Sequence, residues 1–95
     1  MEPRDTGEQA ATADSLEVRE LVELIVKALV DFPEQVHCHE VEGTHSCVLE
    51  LEVAKEDVGK VIGKHGIHAD AIRRLINAIG GKKKRRYVLE ILEDV

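Results

Sequence analysis

The spacing of apolar and polar positions changes period several times along this chain, and each change marks an element. Leu21, Val22, Leu24, Ile25, Ala28 and Leu29 recur at helical spacing, which predicts an amphipathic helix over residues 15–30. Asp14, three residues ahead of Glu17, fits a capping box at its start. Asp31-Phe32-Pro33 ends it, because proline breaks the hydrogen-bond ladder and restricts the residue before it. The period then drops to two. Residues 36–41 and 46–53 read as strands around the turn Glu42-Gly43-Thr44. In the second strand Cys47, Leu49, Leu51 and Val53 share one side, and Ser46, Glu50 and Glu52 the other. Val48 is the exception.

Helical spacing then returns. Lys55-Glu56-Asp57 places acids at the positive N-terminus of a short helix, with Val58, Val61 and Ile62 as its apolar side. Gly63-Lys64-His65-Gly66 interrupts it. Beyond the break, Ile72, Leu75, Ile76 and Ile79 fall at i, i+3, i+4 and i+7, which predicts a buried helix face that Gly80-Gly81 terminates. Residues 87–92 make a final strand. The order is helix, strand, strand, helix, helix, strand, an α+β arrangement. The first two strands form a hairpin, and the third follows a helical crossover and should lie parallel to its neighbour. The expected architecture is three helices packed on one face of a three-stranded mixed sheet. Residues 1–14 lack apolar periodicity and are expected to be a disordered N-terminal tail, leaving residues 15–95 as one domain.

Composition narrows this further. A chain of 95 residues with 43% hydrophobic and 2% aromatic content supports one small core, and that core must be aliphatic. No apolar run reaches the roughly 18 residues of a membrane span. The first fourteen residues carry acids and no apolar stretch, unlike a secretory signal. Two cysteines are too few for a disulfide framework, so a cytoplasmic location is expected. The net charge of −6 is unevenly distributed. Residues 1–58 hold four basic and fifteen acidic side chains, a net of −11, whereas residues 59–95 hold nine and four, a net of +5. Lys60, Lys64, Arg73, Arg74 and the run Lys82-Lys83-Lys84-Arg85-Arg86 supply the positive charge. The local field decides where a polyanion docks.

The glycine break is the strongest candidate site. Glycine permits positive φ and lets another backbone approach closely. Gly66 precedes a helix whose N-terminus suits phosphate, and Lys64 and His65 add charge and hydrogen-bond donors. The cluster His37, Cys38, His39, His45 and Cys47 resembles a metal site only in sequence. Strand alternation turns Cys38 away from His37 and His39, and a tetrahedral site needs converging ligands. Neither a catalytic arrangement nor a Gly-Lys-Ser/Thr phosphate loop is present. The expectation is a non-enzymatic protein with no cofactor, no metal and no small-molecule substrate.

These residues carry a family resemblance. Val61-Ile62-Gly63-Lys64-His65-Gly66 resembles the VIG-x-x-G signature of the KH domain, and the element order is similar to its bacterial type II form. Together with "ALVDFPEQV", "VEG" and "VLELEVAKEDVGKVIGKHG", the chain looks like the small single-domain RNA-binding proteins of the KhpA (YlqC) family over roughly residues 16–93. The resemblance implies that Gly63, Lys64, His65 and Gly66 clamp the sugar-phosphate backbone of about four nucleotides. Val58 and Ile62 would floor the groove, Lys60 would edge it and Arg74 would contact RNA further along. The family commonly continues the loop with Arg-Thr. Here Ile67-His68 stand in that place, so the arginine is absent, and the expectation is either a lower affinity or partial substitution by His68. The resemblance also implies a homodimer, or a heterodimer with a larger Jag-type KH protein. The leading function is single-stranded RNA binding in post-transcriptional regulation or RNA chaperoning. The alternative is a protein-interaction adaptor.

Overall fold

Strand β2, Ser46–Glu52, runs through the middle of a three-stranded sheet of order β1-β2-β3. The structure is a computed structural model that describes residues 17–92. The expected tail over 1–14, and Asp14 of the expected capping box, lie outside the described residues. Strand β1, His37–Glu42, pairs antiparallel with β2, and β3, Arg86–Leu92, pairs parallel with it. Helix α1 is Val18–Leu29, α2 is Val58–Ile62 and α3 is Ile67–Lys83. All three pack on one face of the sheet, as the pattern predicts. The element boundaries differ from the predicted ones by three residues or fewer at every end except that of α3.

Alternation decides which strand residues enter the core. Cys38 of β1, Cys47, Leu49 and Leu51 of β2, and Tyr87 and Leu89 of β3 are buried together against Val22, Val26, Val61, Ile72 and Ile76. Leu49 and Leu51 are fully buried, so truncation of either to alanine costs about 2–5 kcal/mol. Val48, the exception to the alternation, has an explanation in the register. It pairs with Val41 on one side and Val88 on the other, making a row of three valines across the outer face.

Two helix faces differ from expectation. The buried stripe of α1 is Val18, Val22 and Val26, a narrow i, i+4, i+8 row, whereas Leu24 is 66% exposed and Leu21 43%. On α3 the buried residues are Ala69, Ile72, Ile76 and Gly80, and Leu75 is 55% exposed. Glycine faces inward at position 80 because the helix end runs close to the returning chain. A Cβ on Gly80 would stand 2.4 Å from the carbonyl oxygen of Arg85. Gly80-Gly81 therefore does not end the helix, which continues to Lys83. Lys84, at φ 58°, ends it in the left-handed region. The Arg85 N–H donates to Gly80 O at 2.8 Å and the Lys84 N–H to Gly81 O at 3.4 Å, the bond pair of a Schellman terminus.

Asp57 also differs from its expected role. It is fully buried, and its carboxylate accepts the N–H groups of Asp31 (3.1 Å) and Phe32 (3.0 Å). The side chain that the sequence assigned to a helix dipole instead ties the start of α2 to the exit of α1.

Candidate nucleic-acid interface

Helix α2 ends because Gly63 turns to φ 79°, ψ 167°, with its N–H on Gly59 O at 2.8 Å. One tight turn, Lys64–Gly66, follows, closed by the Gly66 N–H on Gly63 O at 3.0 Å. Gly66 stands at φ 76° and His65 at φ 59°, a conformation histidine tolerates better than most side chains. Three of the four loop residues thus hold positive φ, and Lys64 and His65 are left exposed.

The two glycines have different neighbours. A Cβ on Gly63 would stand 2.6 Å from the His68 ring, whereas a Cβ on Gly66 would meet nothing within 4 Å. Gly63 makes room for protein, and Gly66 leaves main chain open to an approaching ligand. His68 is exposed, with its ring folded back onto α2 and Nδ1 2.8 Å from the carbonyl oxygen of Lys60. Since a carbonyl only accepts, Nδ1 carries the proton and Nε2 alone is left for a ligand.

The remaining predicted residues lie along α2 and α3. Val58 and Ile62 are half-buried beside the fully buried Val61. Ile67, first residue of α3, is 59% exposed. Arg74 lies two turns on, paired with Asp70 at 3.0 Å, and the Lys60 ammonium sits 3.2 Å from Asp31. Such exposed pairs are weak, so a phosphate can replace the carboxylate. The Asp31 and Asp70 pairings escaped the sequence reading. Of the two, only Asp70, at i,i+4 from Arg74, left a signal.

A second group also escaped it. The Cys47 thiol donates to the Glu40 carboxylate at 3.0 Å, and Glu40, Glu42 and Cys47 offer ligand atoms within 4.8 Å of one another. Alternation contained the signal, because Glu40 and Glu42 fall on the Cys38 side of β1. Burial, and then the hydrogen bond to Glu40, push the Cys47 thiol up to about 12. Burial, and then Glu23, push Cys38 up to about 11. Arg85 is paired with Glu42. A thiol that keeps its proton and carboxylates already engaged make this a hydrogen-bonded group. His37 and His39 are exposed on the opposite face from Cys38. Among the described residues no helix is long and apolar enough to cross a membrane.

Sequence comparison extends this picture. A family model described as "KhpA/KhpB, KH domain" matches residues 19–91. The chain is similar to the RNA-binding protein KhpA of Clostridium perfringens, 52% identical over 79% of this chain and all of that protein. It is similar to the RNA-binding protein KhpA of Chlamydia caviae, at 46% over 81% of this chain and 99% of that protein. It also resembles that of Borreliella burgdorferi, at 50% over 78% and 90% respectively. No solved structure matches the chain. A helix–G-x-x-G–helix unit on a β1-β2-β3 mixed sheet and a match across residues 19–91 lead to one assignment: the chain belongs to the KhpA/KhpB family of KH-domain proteins.

Proposed function

We propose that this protein binds single-stranded RNA, gripping the sugar-phosphate backbone between α2 and α3 with Gly63, Lys64, His65 and Gly66. The observation that carries the reading is the open main chain at Gly66, where a Cβ would meet nothing within 4 Å, at the N-terminus of a 17-residue helix. The helix dipole there favours phosphate, and the relatives' names supply the nucleic acid. Val58 and Ile62 line the apolar floor. Lys60 and Arg74 reach phosphates once released from Asp31 and Asp70, and Ile67 and His68 border the strand's path. With one Tyr and one Phe in the whole chain, base stacking contributes little, and binding is sequence-tolerant. The biological role is post-transcriptional regulation or RNA chaperoning in the cytoplasm. A homodimer, or a heterodimer with a larger Jag-type KH protein, adds grip through avidity.

The test is the double substitution Lys64→Asp/His65→Asp. Both side chains are exposed, so the fold should survive while two acids repel phosphate. Filter binding to a labelled single-stranded RNA should fall below detection. Affinity equal to that of the parent would refute the clamp.

The exposed Leu24 and Leu75 favour a second reading, an interaction adaptor in which partner binding outweighs the RNA groove. The same loop variant separates the two, because an adaptor keeps its partner when RNA binding is gone.

A further inference from the structure

The cations nearest the loop are largely engaged. Lys60 is held by Asp31 and Arg74 by Asp70, leaving Lys64 as the loop's own cation without an ion pair among the described residues. Lys60 and Arg74 must therefore exchange a carboxylate for a phosphate when RNA arrives, which lowers their net contribution to the grip.

The opposite end of α3 has a different balance. Five consecutive cations, Lys82 to Arg86, span the last turn of α3, its left-handed terminus and the first residue of β3. Arg85 is paired with Glu42 and lies over the Tyr87 ring, 5.4 Å from its centre. Lys82, Lys84 and Arg86 carry no ion pair among the described residues. Lys82, Lys83, Arg85 and Tyr87 line a shallow recess of about 460 Å³. The negative helix C-terminus accounts for Lys82 and Lys83 in the last turn. It does not account for Lys84 and Arg86, which lie past the helix end. The Schellman bonds fix the turn that presents them.

We infer that this basic end is a second phosphate contact for the same single-stranded RNA, resting on the RNA-binding reading above. Helix α3, of 17 residues, sets the two contacts about 25 Å apart at 1.5 Å per residue. A strand gripped at the loop is then held again beyond the helix, so the preferred ligand is longer than the clamp's four or so nucleotides. The contact is electrostatic and reads no sequence.

The experiment compares the full chain with Lys82→Gln/Lys84→Asn/Arg86→Gln, in which asparagine suits the left-handed position. The probes are labelled oligouridines of about 4 and about 16 nucleotides, the range of single-strand sites. Each is titrated across salt. For the parent, the log–log salt slope on the longer probe should be steeper by about 2, from three phosphates at roughly 0.7 each. The variant should lose that difference and bind the longer probe at least about tenfold more weakly, with the shorter probe unaffected. A variant slope on the longer probe equal to the parent's would overturn the inference. The variant Lys64→Asp/His65→Asp, run in parallel, should lose both probes. If it keeps both while the charge variant loses the longer one, the clamp reading falls and the basic end stands. Failure of the parent to bind either probe at low salt refutes both.

Discussion

His68 closes its ring over Gly63 and donates from Nδ1 to the carbonyl oxygen of Lys60, 2.8 Å away. One side chain from the first turn of α3 thereby caps the last turn of α2 and fills the space a Cβ on Gly63 would need. The loop is held from its protein side and stays open on its other side at Gly66.

That asymmetry predicts unequal costs for two similar substitutions. Gly66→Ala meets no atoms and pays only for left-handed backbone, about 1–2 kcal/mol. Gly63→Ala combines a conformation available mainly to glycine with a contact at 2.6 Å, so its cost should be roughly 3 kcal/mol or more. Urea unfolding of both variants checks this. Equal losses would show that the His68 ring swings away freely.

Asp57 gives a second stability test. Alanine there leaves the Asp31 and Phe32 N–H groups without their buried acceptor. Two hydrogen bonds to a charged group, at roughly 1.5–3 kcal/mol each, make a loss of about 3 kcal/mol or more the expected result. A midpoint within about 0.5 kcal/mol of the parent's, the range typical of surface changes, would mean that water replaces the carboxylate.

Much of this was legible in the sequence because alternation and helical spacing follow from backbone geometry alone. The β1–β2 hairpin, the glycine loop between two helices and the parallel return of β3 all come from such local signals. Leu75 and Gly80 show where that logic stops. Spacing places Leu75 on the inward side of α3, where the structure leaves it 55% exposed. Gly80 reads as the helix end, whereas the approach of Arg85 is what requires a residue without a side chain at position 80. Asp57 and the pairing of Lys60 with Asp31 join residues more than twenty positions apart. No local pattern encodes them.

The cysteines set an alkaline limit on stability. Both thiols sit above their ordinary value of 9.0, Cys38 at about 11 and Cys47 at about 12. The folded chain keeps protons that the unfolded chain releases above pH 9, so unfolding releases protons between pH 9 and 12 and stability falls as pH rises through that window. Urea midpoints should therefore drop from pH 8 to pH 10, and less so in Cys38→Ala/Cys47→Ala. An identical drop in the variant would assign the effect to other groups. At pH 8 neither thiol should react with a disulfide reagent until the chain is unfolded.

Ile67 offers a gain of function. It is 59% exposed at the first position after the clamp, so arginine there costs little in packing and adds a charged donor beside the proposed phosphate path. Ile67→Arg should tighten single-stranded RNA binding by about 0.5–1.5 kcal/mol, with unchanged thermal stability. An unchanged affinity in a well-folded variant would place the strand elsewhere. A lower melting temperature would mean that Ile67 is covered by a partner.

The parallel pairing of β2 with β3 has a consequence for when the protein becomes competent. Ser46 pairs with Arg86 and Cys47 with Tyr87, forty positions apart, and the proposed clamp lies inside the segment that must close before those bonds form. Long-range parallel pairing is among the slower events in folding, since loop closure precedes any reward from contact. The sheet on which the proposed clamp rests is therefore complete only once β3 has docked. A chain still emerging from the ribosome, with β3 unmade, can close the local bonds around Gly63 and Gly66 but lacks the finished sheet beneath α2 and α3. It should be unable to compete for RNA with the finished protein.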